Sequence, residues 1–202
     1  MPSRRAPVTI APAAPDIAED AHLDAAAIAS GALSEGRLEH ADLSGGRLAN
    51  LALTDVELDG CNLANLAARG GSMRRVLAAH CRLTGLMWTE GSMHDAVLRD
   101  CRIDLASFAA TTIEQVVFER CMLMQADFQD AHLRAVRFVD CDLSEADLTG
   151  ARFERCELRG CTLDGIRAAE RLRGVAMPWE DIVAAAGLFA DALGVRVLND
   201  DR

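Results

Sequence analysis

The chain contains no lysine, so its 21 basic residues are all arginines, set against 31 aspartates and glutamates. The formal net charge of −10 argues against nonspecific binding to nucleic acid, whose phosphates attract cationic surfaces. No apolar run is long enough to cross a bilayer, and the N-terminus lacks the apolar segment of a signal peptide. These absences predict a cytoplasmic protein that binds neither membranes nor nucleic acid directly.

Proline is also absent between Asp16 and Met177, and an apolar residue recurs there every five positions. Thirty consecutive quintets run from Ala21 to Glu170, and 27 of them have Leu, Phe, Ile, Met or Trp in the third place. A five-residue step would spread an apolar row around a helix, and would alternate it between the two faces of a strand. Because neither element fits, the repeat predicts a solenoid.

Each quintet has a second selected position two places before the large residue, where Ala, Gly and Cys predominate. A spacing of two keeps both side chains on one side of a short extended segment, and the remaining three residues form a corner. All seven cysteines occupy this position, and six of them, from Cys61 to Cys161, are spaced by 20 residues. Four quintets per coil would stack these six in one column, so we predict a square coil of 20 residues.

Segments such as ADLSG (41–45), CDLSE (141–145) and ADLTG (146–150) resemble the A(D/N)LXX consensus of pentapeptide repeat proteins. The resemblance extends over about three quarters of the chain. It implies an all-β solenoid, a right-handed quadrilateral β-helix of pentapeptide repeats with a C-terminal α-helical cap. Some members of this family mimic duplex DNA and bind DNA gyrase or topoisomerase IV, protecting the enzyme from quinolones or natural toxins. The inserted loops of several quinolone-resistance members have no counterpart here, since the repeat is never interrupted.

Three regions are predicted on this basis. Residues 1–20, rich in Pro and Ala, read as a flexible N-terminal arm; residues 21–170 form the β-helix; and residues 171–202 form a C-terminal helix and a short strand. The helix is expected to run from Pro178 to Gly194 and to cover the last coil. The resemblance favours a homodimer through this end, against the alternative of a monomeric cap. The residues predicted at the dimer interface are Phe189, Leu193, Val195, Val197 and Leu198.

We expect no enzyme activity, cofactor or metal site. Stacked cysteines point side by side and cannot converge on one zinc ion or adopt disulfide geometry, so their predicted role is core packing. The five histidines fall at outward or corner positions. A convex rod offers no cleft in which to desolvate a catalytic base or nucleophile.

Function is therefore expected to reside on the outer surface, as a protein–protein interaction. The middle of the chain is basic, while both ends are acidic. The DNA-mimic hypothesis places the partner-binding residues near the C-terminal end of the rod, and the alternative is a generic interaction or scaffold solenoid without topoisomerase activity. Arg134, Arg137, Arg152 and Arg155 interrupt the acidic sequence and weigh against the first hypothesis. The predicted partner-binding residues are Asp127, Asp130, Asp140, Asp142, Glu145 and Asp147.

Some apolar residues also occupy predicted outward positions. Leu77, Val97 and Val117 fall in one column, and a second group lies on a neighbouring face. They form either a binding strip or ordinary cross-coil contacts between β-forming residues. The second group comprises Leu105, Met122 and Met124.

Overall fold

The computed structural model describes residues 11–17 and 31–196, and its main body is a parallel β-solenoid. Each strand pairs in parallel with the strand 20 residues further along, so that Leu33 lies opposite Leu53 and Leu53 opposite Met73. The predicted fold class, a right-handed quadrilateral β-helix with a C-terminal helical cap, is confirmed. The strands are β1 (Ala32–Glu39), β2 (Ala52–Asp59), β3 (Ser72–Ala79), β4 (Ser92–Arg99), β5 (Thr112–Glu119), β6 (His132–Arg134), β7 (Arg137–Val139), β8 (Arg152–Glu154) and β9 (Glu157–Arg159).

Every coil has four sides. We name them in chain order, so that face 1 contains residues 31–35, face 2 residues 36–40, face 3 residues 41–45 and face 4 residues 46–50, each recurring every 20 residues. The strands lie on faces 1 and 2. Isolated parallel bridges, which also join residues 20 apart, continue the ladder on faces 3 and 4.

The fifth residue of each quintet forms the corner after its face. From Glu35 to Gly165 every one of these residues has a positive φ, between 49° and 73°. This left-handed conformation is strained for most side chains, yet even Leu105 and Arg120 adopt it. The ladder of hydrogen bonds between coils holds these corners in place, because each coil pairs with the next only if both bend at the same position.

The interior is filled by the two inward positions of each quintet, as predicted. Phenylalanine rings of successive coils stack, with ring centroids 5.3 Å apart for Phe108 and Phe128 and 4.9 Å for Phe118 and Phe138. The two stacks meet edge to face at 6.0–6.2 Å. Such pairs stabilise a core beyond the free energy of apolar burial alone.

Part of the predicted N-terminal arm is described, and it lies against the solenoid. The backbone N–H of Asp16 donates to Asp55 Oδ1 at 3.1 Å, and that of Ala13 donates to Asp95 Oδ1 at 3.3 Å. Asp55 and Asp95 occupy the corner between faces 1 and 2, two coils apart. Residues 11–17 therefore run along this corner, parallel to the axis of the rod. Residues 1–10 and 18–20 of the predicted arm lie outside the described residues.

The C-terminal cap consists of a 3₁₀ helix (Ala169–Leu172) and two α-helices, α1 (Trp179–Ala184) and α2 (Ala186–Ala192). The prediction of one continuous helix was wrong, because Ala185 leaves helical geometry with φ −93° and ψ 14°. The predicted stop at Gly194 is confirmed: its N–H donates to Asp191 O, and that of Val195 donates to Ala190 O. This is the Schellman arrangement, which favours glycine at the left-handed position.

The cap covers the last coil with its inner side. Ala185, Leu188, Phe189 and Ala192 are partly buried against the core. Asp181 Oδ2 accepts a hydrogen bond of 2.7 Å from the backbone N–H of Gly160 and ties α1 to the end of the rod. Apolar side chains on the outer side of the cap remain in solvent, among them Trp179, Val183, Leu193 and Val195.

Candidate protein-binding surface

The six predicted partner-binding carboxylates lie on faces 3 and 4 and their bounding corners. They fall in two stretches, residues 121–131 and 140–151, which contain no arginine. Parallel bridges place Asp127 directly beside Asp147, one coil apart. We call these six residues the acidic surface: Asp127, Asp130, Asp140, Asp142, Glu145 and Asp147.

The four arginines that were expected to interrupt this surface lie on other sides of the rod, whereas Arg120 lies at the corner one coil below Asp140 and Arg167 lies beside Asp147. Arg134 and Arg152 extend from strands on face 1, Arg137 extends from β7 on face 2, and Arg155 forms the corner between these faces. The expectation that they interrupt the acidic surface was therefore wrong. They alternate with the carboxylates along the sequence, but the 20-residue coil separates the two charges around the rod.

Four of the carboxylates accept hydrogen bonds within the rod: Glu145 Oε2 accepts one of 2.6 Å from Gln125 Nε2, and the other three form local turns. Asp127, Asp142 and Asp147 each accept a hydrogen bond of 2.9 Å from the backbone N–H two residues later. This Asx turn stabilises the bend between neighbouring quintets. It explains the aspartate in the second place of these quintets without any reference to a partner.

Asp147 is the one buried member of the acidic surface. Its Oδ2 accepts a hydrogen bond from Gln129 at 3.1 Å and lies 3.4 Å from Arg167 Nη2. Burial opposes ionisation, but the hydrogen bonds from Thr149 and the charge of Arg167 outweigh it and lower the pKa of Asp147. Asp147 is ionised, but its carboxylate is buried and exposes little charge to solvent.

Asp130, Asp140 and Glu145 stand at exposed corners with φ of 54°, 52° and 59°. Their side chains extend over glycines of the next coil. A Cβ added to Gly150 would lie 2.1 Å from Asp130 Oδ1, and one added to Gly160 would lie 2.3 Å from Asp140 Oδ1. These corner carboxylates are the members of the acidic surface best placed to contact a partner.

The cysteine column is confirmed as part of the interior. Cys61, Cys81, Cys101, Cys121 and Cys141 are buried, and Cys161 at the end of the column is partly exposed. The thiol of Cys121 donates to Leu98 O at 3.3 Å, and equivalent contacts recur at the other cysteines. All seven cysteines are free thiols. Within residues 11–17 and 31–196, no group of His, Cys, Asp or Glu side chains is arranged to hold a metal ion.

The outward apolar residues fall into two classes. Leu77, Val97 and Val117 on face 2 are only partly exposed, and consecutive members pair across coils. In the described part of the solenoid, outside the cap, four other residues expose large apolar side chains; three were predicted from the sequence to face outward, and Met87 was missed. We call them the methionine patch: Met87, Leu105, Met122 and Met124.

The predicted dimer interface is partly accessible. Phe189 packs against the core, whereas Leu193 and Val195 are 77% and 54% exposed. Val197 and Leu198 lie outside the described residues. Trp179, the first residue of α1, is 73% exposed. The cap therefore presents an apolar outer side that includes residues not predicted at the interface.

Comparison with known proteins agrees with this architecture. The family model described as a pentapeptide repeat region matches residues 71–148 and 92–168. The two matches together span residues 71–168, just under half of the chain. The resemblance drawn from the ADLTG-type quintets is thus confirmed, and the strand ladder continues the same geometry back to Ala32.

Solved structures of pentapeptide repeat proteins are similar to this chain. HetL, involved in heterocyst differentiation regulation in the cyanobacterium Nostoc sp. strain PCC 7120, is 19% identical, with a TM-score of 0.48 over 73% of this chain and 77% of its own. QnrB1, a plasmid-mediated fluoroquinolone resistance protein, is 16% identical, with a TM-score of 0.38 over 79% and 100% of the two chains. A thylakoid-lumen protein of Arabidopsis thaliana is 17% identical, with a TM-score of 0.33 over 57% and 78%.

No curated protein matches the sequence. None of the helices in the described part of the chain has the length and apolar character needed to span a membrane.

Proposed function

We propose that the protein is a DNA-mimicking interaction protein that binds a type II topoisomerase, DNA gyrase or topoisomerase IV. In this proposal it modulates the enzyme, or protects it from quinolones or natural toxins. The observation that carries the proposal is the uneven charge around the rod: faces 3 and 4 and their corners hold six carboxylates over residues 121–131 and 140–151, and the arginines beside them are Arg120, below Asp140, and Arg167, next to Asp147. A partner surface shaped and charged to bind duplex DNA is basic and would attract this side of the rod.

The physical basis is long-range electrostatic attraction. Charges exposed on one side of a rod steer association with an oppositely charged surface, and the association rate falls as salt screens them. The corner carboxylates of Asp130, Asp140 and Glu145 supply most of the exposed negative charge. Asp147 contributes less because it is buried and lies beside Arg167.

A homodimer through the C-terminal cap would fit the same proposal. The exposed apolar side chains of Trp179, Val183, Leu193 and Val195 provide a surface that a second copy would bury. The acidic surface lies in the coils just before this end of the rod. Dimerisation would therefore place two acidic surfaces on either side of the two-fold axis and lengthen the anionic face offered to a partner.

A second candidate, a scaffold solenoid that binds another protein, is favoured by the Asx turns. Asp127, Asp142 and Asp147 have structural roles within their own quintets. Their charge then provides solubility, which any exposed solenoid surface needs. The two candidate functions differ in whether the other three carboxylates, Asp130, Asp140 and Glu145, bind a type II topoisomerase.

The test is inhibition of DNA supercoiling by purified gyrase, with and without a quinolone. We expect the protein to inhibit supercoiling or to relieve the effect of the drug. The triple variant Asp130→Asn, Asp140→Asn and Glu145→Gln should lose most of this effect. Asparagine tolerates the positive φ of the two aspartate corners, so the variant should remain folded.

The matched control removes the same number of charges from faces 1 and 2, by Glu39→Gln, Asp59→Asn and Glu154→Gln. It should behave like the unmodified protein. Equal loss in both triple variants would show a dependence on net charge alone. No effect of the unmodified protein on gyrase would reject the topoisomerase proposal in favour of the scaffold.

A further inference from the structure

The methionine patch is one contiguous surface that crosses the corner between faces 3 and 4. Met122 and Met124 flank the buried Leu123 on face 3. The backbone N–H of Leu105, at the corner one coil below, donates to Met124 O at 3.0 Å. Met87 lies on face 4 a further coil below, paired with Ser107, which follows Leu105 by two residues. The four side chains therefore form a diagonal stripe.

The four side chains of the methionine patch do not pack in the core. Their exposed fractions are 52% for Met87, 58% for Leu105, 41% for Met122 and 39% for Met124. Outward positions of a solvated solenoid ordinarily carry polar side chains, and here apolar side chains occupy neighbouring positions in three successive coils. A contiguous exposed apolar surface of this kind marks an interaction site.

The stripe has opposite charges on its two sides. On face 3 the parallel bridges stack Arg82, Arg102, Met122 and Asp142 in that order, one coil apart. The Arg102 side chain is 61% exposed, and its Nε lies 3.8 Å from Asp104 Oδ2, so much of its charge faces solvent. Basic side chains therefore border the stripe on the N-terminal side, and the acidic surface borders it on the C-terminal side.

We propose that the methionine patch binds an amphipathic helix of a partner protein. The apolar face of the helix would contact the four patch residues, its acidic flank would lie over Arg82 and Arg102, and its basic flank over the acidic surface. Methionine suits this role because its flexible, polarizable side chain adapts to the partner's shape. The proposal goes beyond the gyrase hypothesis, since imitation of a polyanion requires no apolar contact.

The size of the patch favours a helix over a second copy of the chain. A stable interface between folded proteins buries about 800 Å² on each partner. Four partly exposed side chains on a convex corner provide much less, whereas an amphipathic helix binds through a few apolar anchors at helical spacing. The charges on the two sides of the stripe would fix the direction of the helix and exclude the reversed orientation.

The probe for this proposal is a synthetic peptide of about 18 residues, or about five helical turns. It carries one stripe of Leu, with Glu along one flank and Arg along the other. A control peptide has the same composition with the stripe scrambled. Binding to the full-length protein is measured by fluorescence anisotropy, and we expect the striped peptide to bind at least about tenfold more tightly than the scrambled one.

The patch variant is Met87→Gln, Leu105→Asn, Met122→Gln and Met124→Gln, and it should lose at least about tenfold in affinity for the striped peptide. Its melting temperature should be unchanged because these side chains point away from the core; Leu105→Asn alone serves if the quadruple variant is unstable. A separate variant, Arg82→Gln with Arg102→Gln, should bind the striped peptide more weakly. Its affinity should be unchanged for a second striped peptide in which Gln replaces the Glu flank, because that peptide has no charge for the two arginines to contact.

Equal binding of the striped and scrambled peptides would overturn the proposal, and so would peptide binding that the patch substitutions leave unchanged. A dimer that dissociates when the patch is changed would also overturn it, because the patch would then bind a second copy of the chain. The gyrase hypothesis is judged separately by supercoiling. A failed peptide experiment leaves that result standing, and the reverse also holds.

Discussion

The indole ring of Trp88 packs so closely against Gly71 that a Cβ added to the glycine would lie 2.8 Å from Cζ2 of the ring. A Cβ on Gly91 would lie 3.1 Å from the indole Nε1 and 2.4 Å from the backbone oxygen of Gly71. The small residues of this column therefore make room for the large residue of the neighbouring column.

We predict that Gly71→Ala destabilises the protein by about 1–3 kcal/mol, the usual effect of overfilling a packed core. Neither the backbone nor a fully buried indole has room to move. Chemical denaturation with tryptophan fluorescence measures the change. Gly187→Ala is the control: no atom lies within 4 Å of the added Cβ, and alanine favours the helix α2. Equal stability of the Gly71 variant and the unmodified protein would contradict this packing.

The carboxylate of Asp55 gives a prediction about pH. It is buried at a corner and accepts hydrogen bonds from the Arg75 guanidinium, and the interaction with Arg75 lowers the pKa of Asp55. Because the folded-state pKa is below the unfolded value of about 3.9, the contribution to stability is complete above that pH. It is lost as the pH falls through the folded-state pKa.

Asp55→Asn should therefore cost about 1.5–3 kcal/mol at neutral pH, the range for hydrogen bonds to charged groups. The difference between the two proteins should shrink as the pH falls below about 4. Urea denaturation at a series of pH values tests this. A difference that stays constant down to the lowest pH would mean that ionisation of Asp55 contributes nothing to stability.

The buried thiols should be inert in the folded protein because reagents cannot reach them. Hydrogen bonding to the neighbouring thiol, together with burial, raises the pKa of Cys121 and of Cys141 to about 12. Access to the reagent decides the order of reaction, so a disulfide reagent such as Ellman's should modify the partly exposed Cys161 first and the buried cysteines only on unfolding. Rapid reaction of all seven thiols in native buffer would show that the column is not in the interior.

The sequence predicted the coil because the backbone bends every five residues and returns every 20 residues. The apolar residues follow the first period and the cysteines the second. The arrangement of surface charge was predicted less well, because the order of carboxylates and arginines along the chain does not report the face on which each one lies. Arg134 and Arg137 lie between Asp130 and Asp140 in sequence but on different faces. Assigning each residue to a face by its position within the 20-residue coil would have separated them.

Other features depend on contacts that no local pattern reports. The break at Ala185 lies in the middle of three consecutive alanines (184–186), which have high helix propensity, so propensity alone predicts one helix. In the structure Ala185, Leu188 and Phe189 pack over the end of the rod. Met87 was missed because it precedes Trp88, the large residue that fills the inward place of the same quintet, and an apolar pair does not reveal which member faces solvent.

The exposed side of the cap gives a prediction about oligomeric state. Leu193 is 77% exposed, and Trp179 and Val195 are also exposed apolar residues of the cap. We therefore expect a homodimer in solution that buries these side chains. Leu193→Asp should convert the dimer to a monomer because a charge would be desolvated at the interface. The folded monomer should be preserved, since Leu193 contributes little to the core. Light scattering over a range of concentrations measures the mass.

The matched control for Leu193→Asp is Leu105→Asp, which adds the same charge at another exposed leucine, 58% exposed and far along the chain from the cap. Aspartate tolerates the positive φ of 60° at that corner. This control should leave the dimer intact. If the unmodified protein is a monomer at all concentrations, the cap only covers the end of the solenoid, and the anionic face offered to a partner is that of a single rod.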